Sequence, residues 1–299
     1  WYFIGRILQG AGEAPVWALA PALLSIQYAE SKGKVIGIYN ASIHVGLTLG
    51  PILGILLGQT LTGNQPFIFY ALACLSGALM ILFLIKNIKS EGLSKQPTLH
   101  FRSILSLLTT GRSLITLIGI ALYGAGYGMF LTTIPAFLIR FKGFNQLWVS
   151  LFFTLFYVAI SISQLITGGF SDKFGRKFFM TFGLIIAAIG CATFPGLSQP
   201  WISIVLTISG LGLGVFYLSS MAHLNEIVPN SLKGTITGAY YLFWGIGFFF
   251  GPILIGKLSE SNHSGLGYQL FGSMLMIESL ALVFGITNQK TSTGTSPFN

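Results

Sequence analysis

Charge is scarce in this sequence. Asp, Glu, Lys and Arg make up 8% of its 299 residues, where an ordinary soluble domain carries about 25%. Acidic residues are scarcest, with 7 Asp and Glu against 16 Lys and Arg. With 53% hydrophobic residues and a mean hydropathy of +0.77, the chain has more apolar surface than a soluble fold can hide, so it is expected to live in a bilayer. Cysteine is as rare. Cys74 and Cys191 both sit in apolar runs and make neither a disulfide framework nor a metal site. No phosphate-binding G-x-x-x-x-G-K-[ST] loop occurs, which argues against ATP-driven pumping. No His/Cys/Asp cluster suggests a metal, and no cofactor is expected. The loop acids Glu30, Glu91, Asp172 and Glu226 are scattered, where a membrane enzyme acting on lipid-linked substrates needs clustered acids or histidines. No basic n-region or cleavage site precedes the first apolar run, so no signal peptide is read. The chain opens on Trp1 rather than methionine, and it is expected to be truncated at its front.

What the sequence has in abundance is long apolar runs. A spanning helix needs about 20 apolar residues. Nine candidates qualify, at 2–25, 35–58, 66–86, 113–139, 149–169, 178–196, 202–224, 235–256 and 267–287. An all-α membrane protein follows, in four parts. Residues 1–86 form an incomplete N-terminal bundle of three helices, 87–112 a long basic linker, 113–287 a six-helix bundle, and 288–299 a disordered tail.

The net charge of +9 is better read as loop bias than as a nucleic-acid surface. One set of loops holds Lys32, Lys34, Lys86, Lys89, Lys95, Arg102, Arg112, Lys173, Arg176, Lys177, Lys233 and Lys290, and the opposite set holds Arg140, Lys142 and Lys257. The twelve-to-three split puts the linker and the C-terminus in the cytoplasm.

An internal repeat is also visible. KGKVIGIYNASIHVGLTLGPIL at 32–53 aligns without gaps on KGTITGAYYLFWGIGFFFGPIL at 233–254, with nine of twenty-two positions identical and an offset of 201 residues. Six spans separate the copies, so the copies run parallel. Two parallel six-helix halves joined by a basic cytoplasmic loop are the plan of the major facilitator halves. On that plan three helices, on the order of 100 residues, are missing ahead of the first span.

Three motifs make the resemblance specific. The segment GGFSDKFGRKFF, Gly168 to Phe179, resembles the cytoplasmic signature of the major facilitator superfamily through Gly168, Asp172, Lys173, Gly175, Arg176 and Lys177. Its physical sense is a tight turn that Gly175 permits. There Asp172 can pair with a base or a helix N-terminus and latch one conformation; a solvated positive loop is the competing reading. GRILQGAG in the first span, with Arg6, Gln9, Gly10 and Gly12, resembles the fourth-helix motif, in which the arginine is implicated in proton coupling. Glu13 shares the span seven residues on, too far from Arg6 for a direct bond without bending, which Pro15 and Pro21 can supply. Arg6 either serves function, as intramembrane charge does by default, or snorkels to the outer surface.

Gly37, Gly46, Gly50, Pro51 and Gly54 resemble the fifth-helix motif of drug/proton antiporters, except that Ile55 stands where the family usually has a second glycine. Glycines four apart make a flat stripe for a closely packed helix, and Pro51 supplies a kink. The resemblance covers the whole chain, as the fourth to twelfth helices of a twelve-helix transporter.

That resemblance implies a proton-coupled exporter of small organic molecules working by alternating access, as a monomer in a bacterial cytoplasmic membrane. Its partners are a small-molecule substrate, protons and the bilayer. An importer of a sugar, organic acid or peptide is the alternative. The implied substrate cavity is lined by Asn40, His44, Tyr123, Tyr127, Tyr157, Gln164, Tyr217, Tyr240 and Trp244, with His223 and Tyr241 beside them. Aromatic walls with few charges suit an apolar or cationic organic substrate, although each such residue also fits ordinary helix packing. Arg6, Glu13 and Glu278 are the charges inside the expected spans. Arg6 and Glu13 are the coupling candidates, while Glu278 falls on a last span that the resemblance makes peripheral.

Overall fold

The computed structural model describes residues 2–27, 32–57, 60, 62–84, 110–228, 233–261 and 265–286. Among them all regular structure is helical. The α-helices are α1 (Tyr2–Gln27), α2 (Lys32–Leu57), α3 (Gln65–Leu84), α4 (Gly111–Leu131), α5 (Thr133–Lys142), α6 (Gln146–Phe174), α7 (Arg176–Thr193), α8 (Trp201–Glu226), α9 (Lys233–Ser261) and α10 (Leu266–Gly285), with a 3-10 turn at Phe194–Gly196. By length and composition seven of these can cross a membrane, namely α3, α4 and α6–α10, and Ser42–Gly54 in α2 is a shorter apolar stretch. Most of the expected linker and all of the expected tail lie outside the described residues. Gly111 and Arg112, assigned to the linker from the sequence, already belong to α4.

The chain divides into two compact units, Trp1–Ser94 and Lys95–Asn299. In the first, α1 lies against α2, and the Tyr39 hydroxyl on α2 donates to the Val16 carbonyl on α1 at 3.1 Å. α1 runs through Pro15 and Pro21 as one helix, and α3 buries none of its side chains.

In the second unit α4 packs along α9, α7 lies between α8 and α10, and α6 packs on α8. In lipid no hydrophobic force draws helices together, so close backbone approach has to do that work. Gly124 and Gly128 of α4 face the Trp244 and Phe248 carbonyls of α9, while Gly247 and Gly251 of α9 face the backbone at Ala121 and Ala125 of α4. A Cβ added at Gly128 would lie 2.7 Å from the Phe248 oxygen and 2.8 Å from Pro252 Cγ. Gly183 on α7 and Gly212 on α8 approach in the same way, each added Cβ falling 2.6 Å from the other's carbonyl oxygen. Outward, Leu165, Phe249 and Phe284 are exposed, as lipid-facing residues are.

The repeat has a structural counterpart. α2 begins at Lys32 and α9 at Lys233, and each holds its proline inside the helix, Pro51 and Pro252. Gly247 and Gly251, the repeat equivalents of Gly46 and Gly50, are the residues in backbone contact with α4. At Gly46, Gly50 and Gly54 themselves an added Cβ meets nothing within 4 Å, so no helix among the described residues fills that stripe.

One expected span is divided. The run at 113–139 breaks at Thr132, whose φ of −127° and ψ of −70° leave the helical region. Pro135 explains it: its ring would clash with the Leu131 carbonyl in a continuous helix, and it has no N–H to give. Ending α4 at Leu131 and restarting at Thr133 puts the proline in a first turn, where the N–H is not needed. A second expected span, 149–169, extends to Phe174, because Gly175 rather than the end of the apolar run stops the helix.

Overpacking a tight site costs about 1–3 kcal/mol, or roughly 2–4 °C per kcal/mol for a domain of this size. Gly247→Leu is therefore expected to lower the melting temperature in detergent by several degrees. Gly245→Ala, where a Cβ meets nothing within 4 Å, leaves it unchanged or slightly raised. Thermal unfolding of the two variants side by side checks this.

Candidate functional site

The Gly168–Phe179 motif forms the turn between α6 and α7. Gly175 is the single linking residue, with φ of +95°, a value L side chains rarely adopt, and its N–H donates to the Ser171 carbonyl at 3.0 Å. The tight turn expected from the sequence is present. Arg176 opens α7 and ties three elements together. It forms ion pairs with Asp172 on α6 and with Glu226 at the end of α8, the latter at 2.9 Å, and it donates to the Ser171 hydroxyl. Its side chain is 16% exposed, while those of Asp172 and Glu226 are 62% and 54% exposed. Lys173 lies 5.6 Å over the Phe174 ring. Glu226, which the sequence marks only as a scattered acid, is brought here by the fold.

This network lines a cavity of about 600 Å³ at the basic end of the second unit. Arg112 from α4, His223 from α8 and Lys177 from α7 line it too. His223 therefore belongs with the ion pairs, away from the aromatic residues with which the sequence grouped it.

Deeper in the same unit, five of the expected cavity residues converge. Tyr123 lies 6.1 Å from Tyr127 and 5.6 Å from Tyr217 by ring centroids, Tyr127 lies 6.0 Å from Trp244, and Tyr217 lies 6.0 Å from Tyr240. Tyr157 joins through Phe156, 5.4 Å away, which itself lies 5.5 Å from Tyr127. Tyr241 and Phe248 extend the cluster beside Tyr240 and Trp244. The rings come from α4, α6, α8 and α9, the helices the resemblance assigns to a cavity. Tyr123 and Tyr240 are buried. The Tyr240 hydroxyl makes no hydrogen bond of normal geometry among the described residues; Ser220 of α8, which itself donates to the Tyr217 carbonyl at 3.0 Å, is its neighbouring polar side chain. Gln164 lies two turns along α6 from Tyr157 and takes no part in these ring contacts. Phe156 and Phe216 were not among the sequence candidates; an apolar ring in an apolar span carries no local signal, and only helix packing reveals the role.

In the first unit Arg6 and Glu13 are joined through an intermediary. Arg6 Nη1 donates to Gln9 Oε1 at 3.0 Å, and Gln9 Nε2 donates to Glu13 Oε1 at 2.8 Å. Spacings of three and four residues place all three on one helix face, so no bending is needed. Tyr70 on α3 neighbours Gln9 and Glu13. His44 is half-buried on α2. Gly37, Asn40 and Gly168 sit on helices, but their surroundings lie outside the described residues.

A bundle of helices long and apolar enough to cross a membrane, with a charged turn at one end, has the make-up of an integral membrane protein. The Major Facilitator Superfamily model matches residues 1–252 and, in a second alignment, 116–297; the chain belongs to that family. It is 28% identical over 275 residues to the MFS-type transporter SLC18B1 of Rattus norvegicus, covering 86% of this chain and 59% of that protein. It is 24% identical over 266 residues to the chromaffin granule amine transporter of Rattus norvegicus, covering 86% and 50%. Against the class H tetracycline resistance protein of Pasteurella multocida it is 23% identical over 270 residues, covering 84% and 64%. The chain thus spans about three fifths of the length of the curated relatives it matches.

Ion pairs with carboxylates as exposed as these contribute about 0–1 kcal/mol and are screened by salt. Glu226→Gln is expected to lower the melting temperature by at most a few degrees, and the difference from wild type shrinks as ionic strength rises. Melting curves of both proteins across a salt series read this directly.

Proposed function

We propose that the protein is a secondary active transporter that exports small organic molecules, cationic or moderately apolar, in exchange for protons by alternating access. The observation that carries this reading is the cluster of Tyr123, Tyr127, Tyr217, Tyr240 and Trp244 within the second unit. Aromatic faces attract an organic cation and bury its apolar parts, and the Tyr240 hydroxyl, which makes no hydrogen bond of normal geometry among the described residues, offers one polar contact that fixes orientation. No carboxylate of the described residues joins the ring contacts, which suits a substrate bound by faces and a hydroxyl better than a sugar or peptide held by many polar groups. The relatives named for tetracycline resistance and amine transport support this substrate class.

Two further groups have roles in this reading. Arg176, held by Asp172 and Glu226, latches the α6–α7 turn to the end of α8, so that opening of this end breaks one ion pair and leaves the other. Arg6, Gln9 and Glu13 form a hydrogen-bonded line through which protonation of the carboxylate alters the hold on the arginine. Gly46, Gly50, Pro51 and Gly54 supply the close-packing, kinked helix of an antiporter. The protein acts as a monomer in a bacterial cytoplasmic membrane with its C-terminus inside, the orientation that the basic loops favour.

The test is to express the protein from its full reading frame in an efflux-deficient cell and follow a fluorescent cationic dye. Expression is expected to lower dye accumulation, an uncoupler to restore it, and Arg6→Ala or Gly50→Leu to abolish the effect. Trp244→Ala removes a cation–π partner worth about 0.5–2 kcal/mol and should raise KM roughly 2- to 30-fold. Unchanged dye levels with a stably inserted protein would sink polyspecific export and favour transport of a single metabolite.

A further inference from the structure

Glu278 is the one carboxylate among the described residues that the structure buries, with 6% of its surface exposed. It lies on α10, seven residues before the helix ends at Gly285, or about 10 Å into the span. The resemblance to a twelve-helix transporter makes this last span peripheral, yet the side chain points inward between α4 and α8. A Cβ added at Gly119 of α4 would lie 3.1 Å from Glu278 Oε1 and 2.9 Å from the Phe216 ring of α8. The absence of a side chain at Gly119 is what makes room for the carboxyl. Oε1 has no hydrogen-bond partner among the described residues, and the polar neighbour on α4 is the Gly119 backbone.

The ionisable groups on the surrounding helices do not compensate it. Among the described residues the ion pairs seen are those of Arg176, which is committed to Asp172 and Glu226 rather than to Glu278. A charged carboxylate in that setting is far more costly than a neutral acid. The neighbouring ring also connects it to the aromatic cluster. Phe216 packs beside Gly119, its ring 2.9 Å from where a Cβ would stand, and lies 6.2 Å from Tyr123, which is itself 5.6 Å from Tyr217. A substrate that displaces the tyrosines would thereby disturb the packing around Gly119, where the carboxyl sits.

We propose that Glu278 is a proton-binding site of the second unit, holding its proton in the closed packing seen here and releasing it to water when α4 and α8 part. The O–H bond breaks, the proton leaves to solvent, and the carboxylate remains until the packing closes on a new proton. Its part in transport rests on the proton-coupled reading above; the site itself does not.

Infrared spectroscopy of the protein in lipid vesicles at neutral pH tests the site. Wild type is expected to show a protonated-carboxyl C=O band that shifts in D2O, is lost in Glu278→Gln and is displaced in Glu278→Asp. The aspartate variant keeps the test decisive if the glutamine variant does not fold. A carboxyl region that neither substitution alters overturns the proposal. Transport in the same vesicles tests the role: Glu278→Gln is expected to lose proton-driven dye accumulation by about tenfold or more while dye-for-dye exchange, which moves no net proton, stays near wild type. Accumulation and exchange both unchanged overturn the role in coupling. A wild type that ignores the proton gradient refutes the functional reading, and the infrared result then decides the site alone.

Discussion

The second unit depends on the backbone contact between α4 and α9. Inside a bilayer the surrounding lipid is as apolar as leucine, so side-chain burial between helices gains little. What remains is van der Waals contact, and that is strongest when backbones touch. Gly124 and Gly128 on one helix and Gly247 and Gly251 on the other allow the touch. Gly183 with Gly212 repeats the arrangement between α7 and α8. Glycine inside a helix costs roughly 1 kcal/mol against alanine, and here the cost is offset because a methyl group would collide with a carbonyl. The aromatic cluster follows from this contact, since Trp244 and Tyr127 come within 6.0 Å only when α4 and α9 lie this close.

Among the described residues the few charged side chains fall into three distinct settings. Arg176 binds two carboxylates from two helices at the basic end, where water screens the pairs and makes them easy to break. Glu278 stands in the opposite situation, buried and with no ion-pair partner among the described residues. Arg6 and Glu13 share a glutamine on one helix face. The three arrangements differ in how much water reaches them, and that difference separates a breakable contact from a group whose protonation responds to packing.

The family membership and the geometry address different levels. The match over most of the chain establishes the kind of protein, and relatives named for amine transport and tetracycline resistance suggest a chemistry. Tyr123 and Tyr240, both buried, are the residues of this chain on which the proposed substrate class can be tested. The cavity at the basic end and the ring cluster lie in one unit and share two helices: α6 carries Asp172 and Tyr157, and α8 carries Glu226 and Tyr217.

Much of the architecture was legible in the sequence because its signals are local. Apolar runs long enough to span must become helices, since only internal hydrogen bonding satisfies a backbone in lipid. The 201-residue repeat paired α2 with α9, and proline sits inside the helix at the matching position of each, Pro51 and Pro252. Gly175 announced a turn, and the turn has its positive φ. The motif arginine and aspartate were likewise visible, as was the choice of α4, α6, α8 and α9 as the helices carrying the aromatic residues. What the sequence left open is whatever needs two distant segments at once. Glu226 became an ion-pair partner and His223 a neighbour of the charged turn through three-dimensional proximity. Glu278 looked peripheral by its place in the chain and is buried by its place in the fold. Sequence spacing specifies which face of a helix a residue occupies; what that face meets is decided when the helices pack.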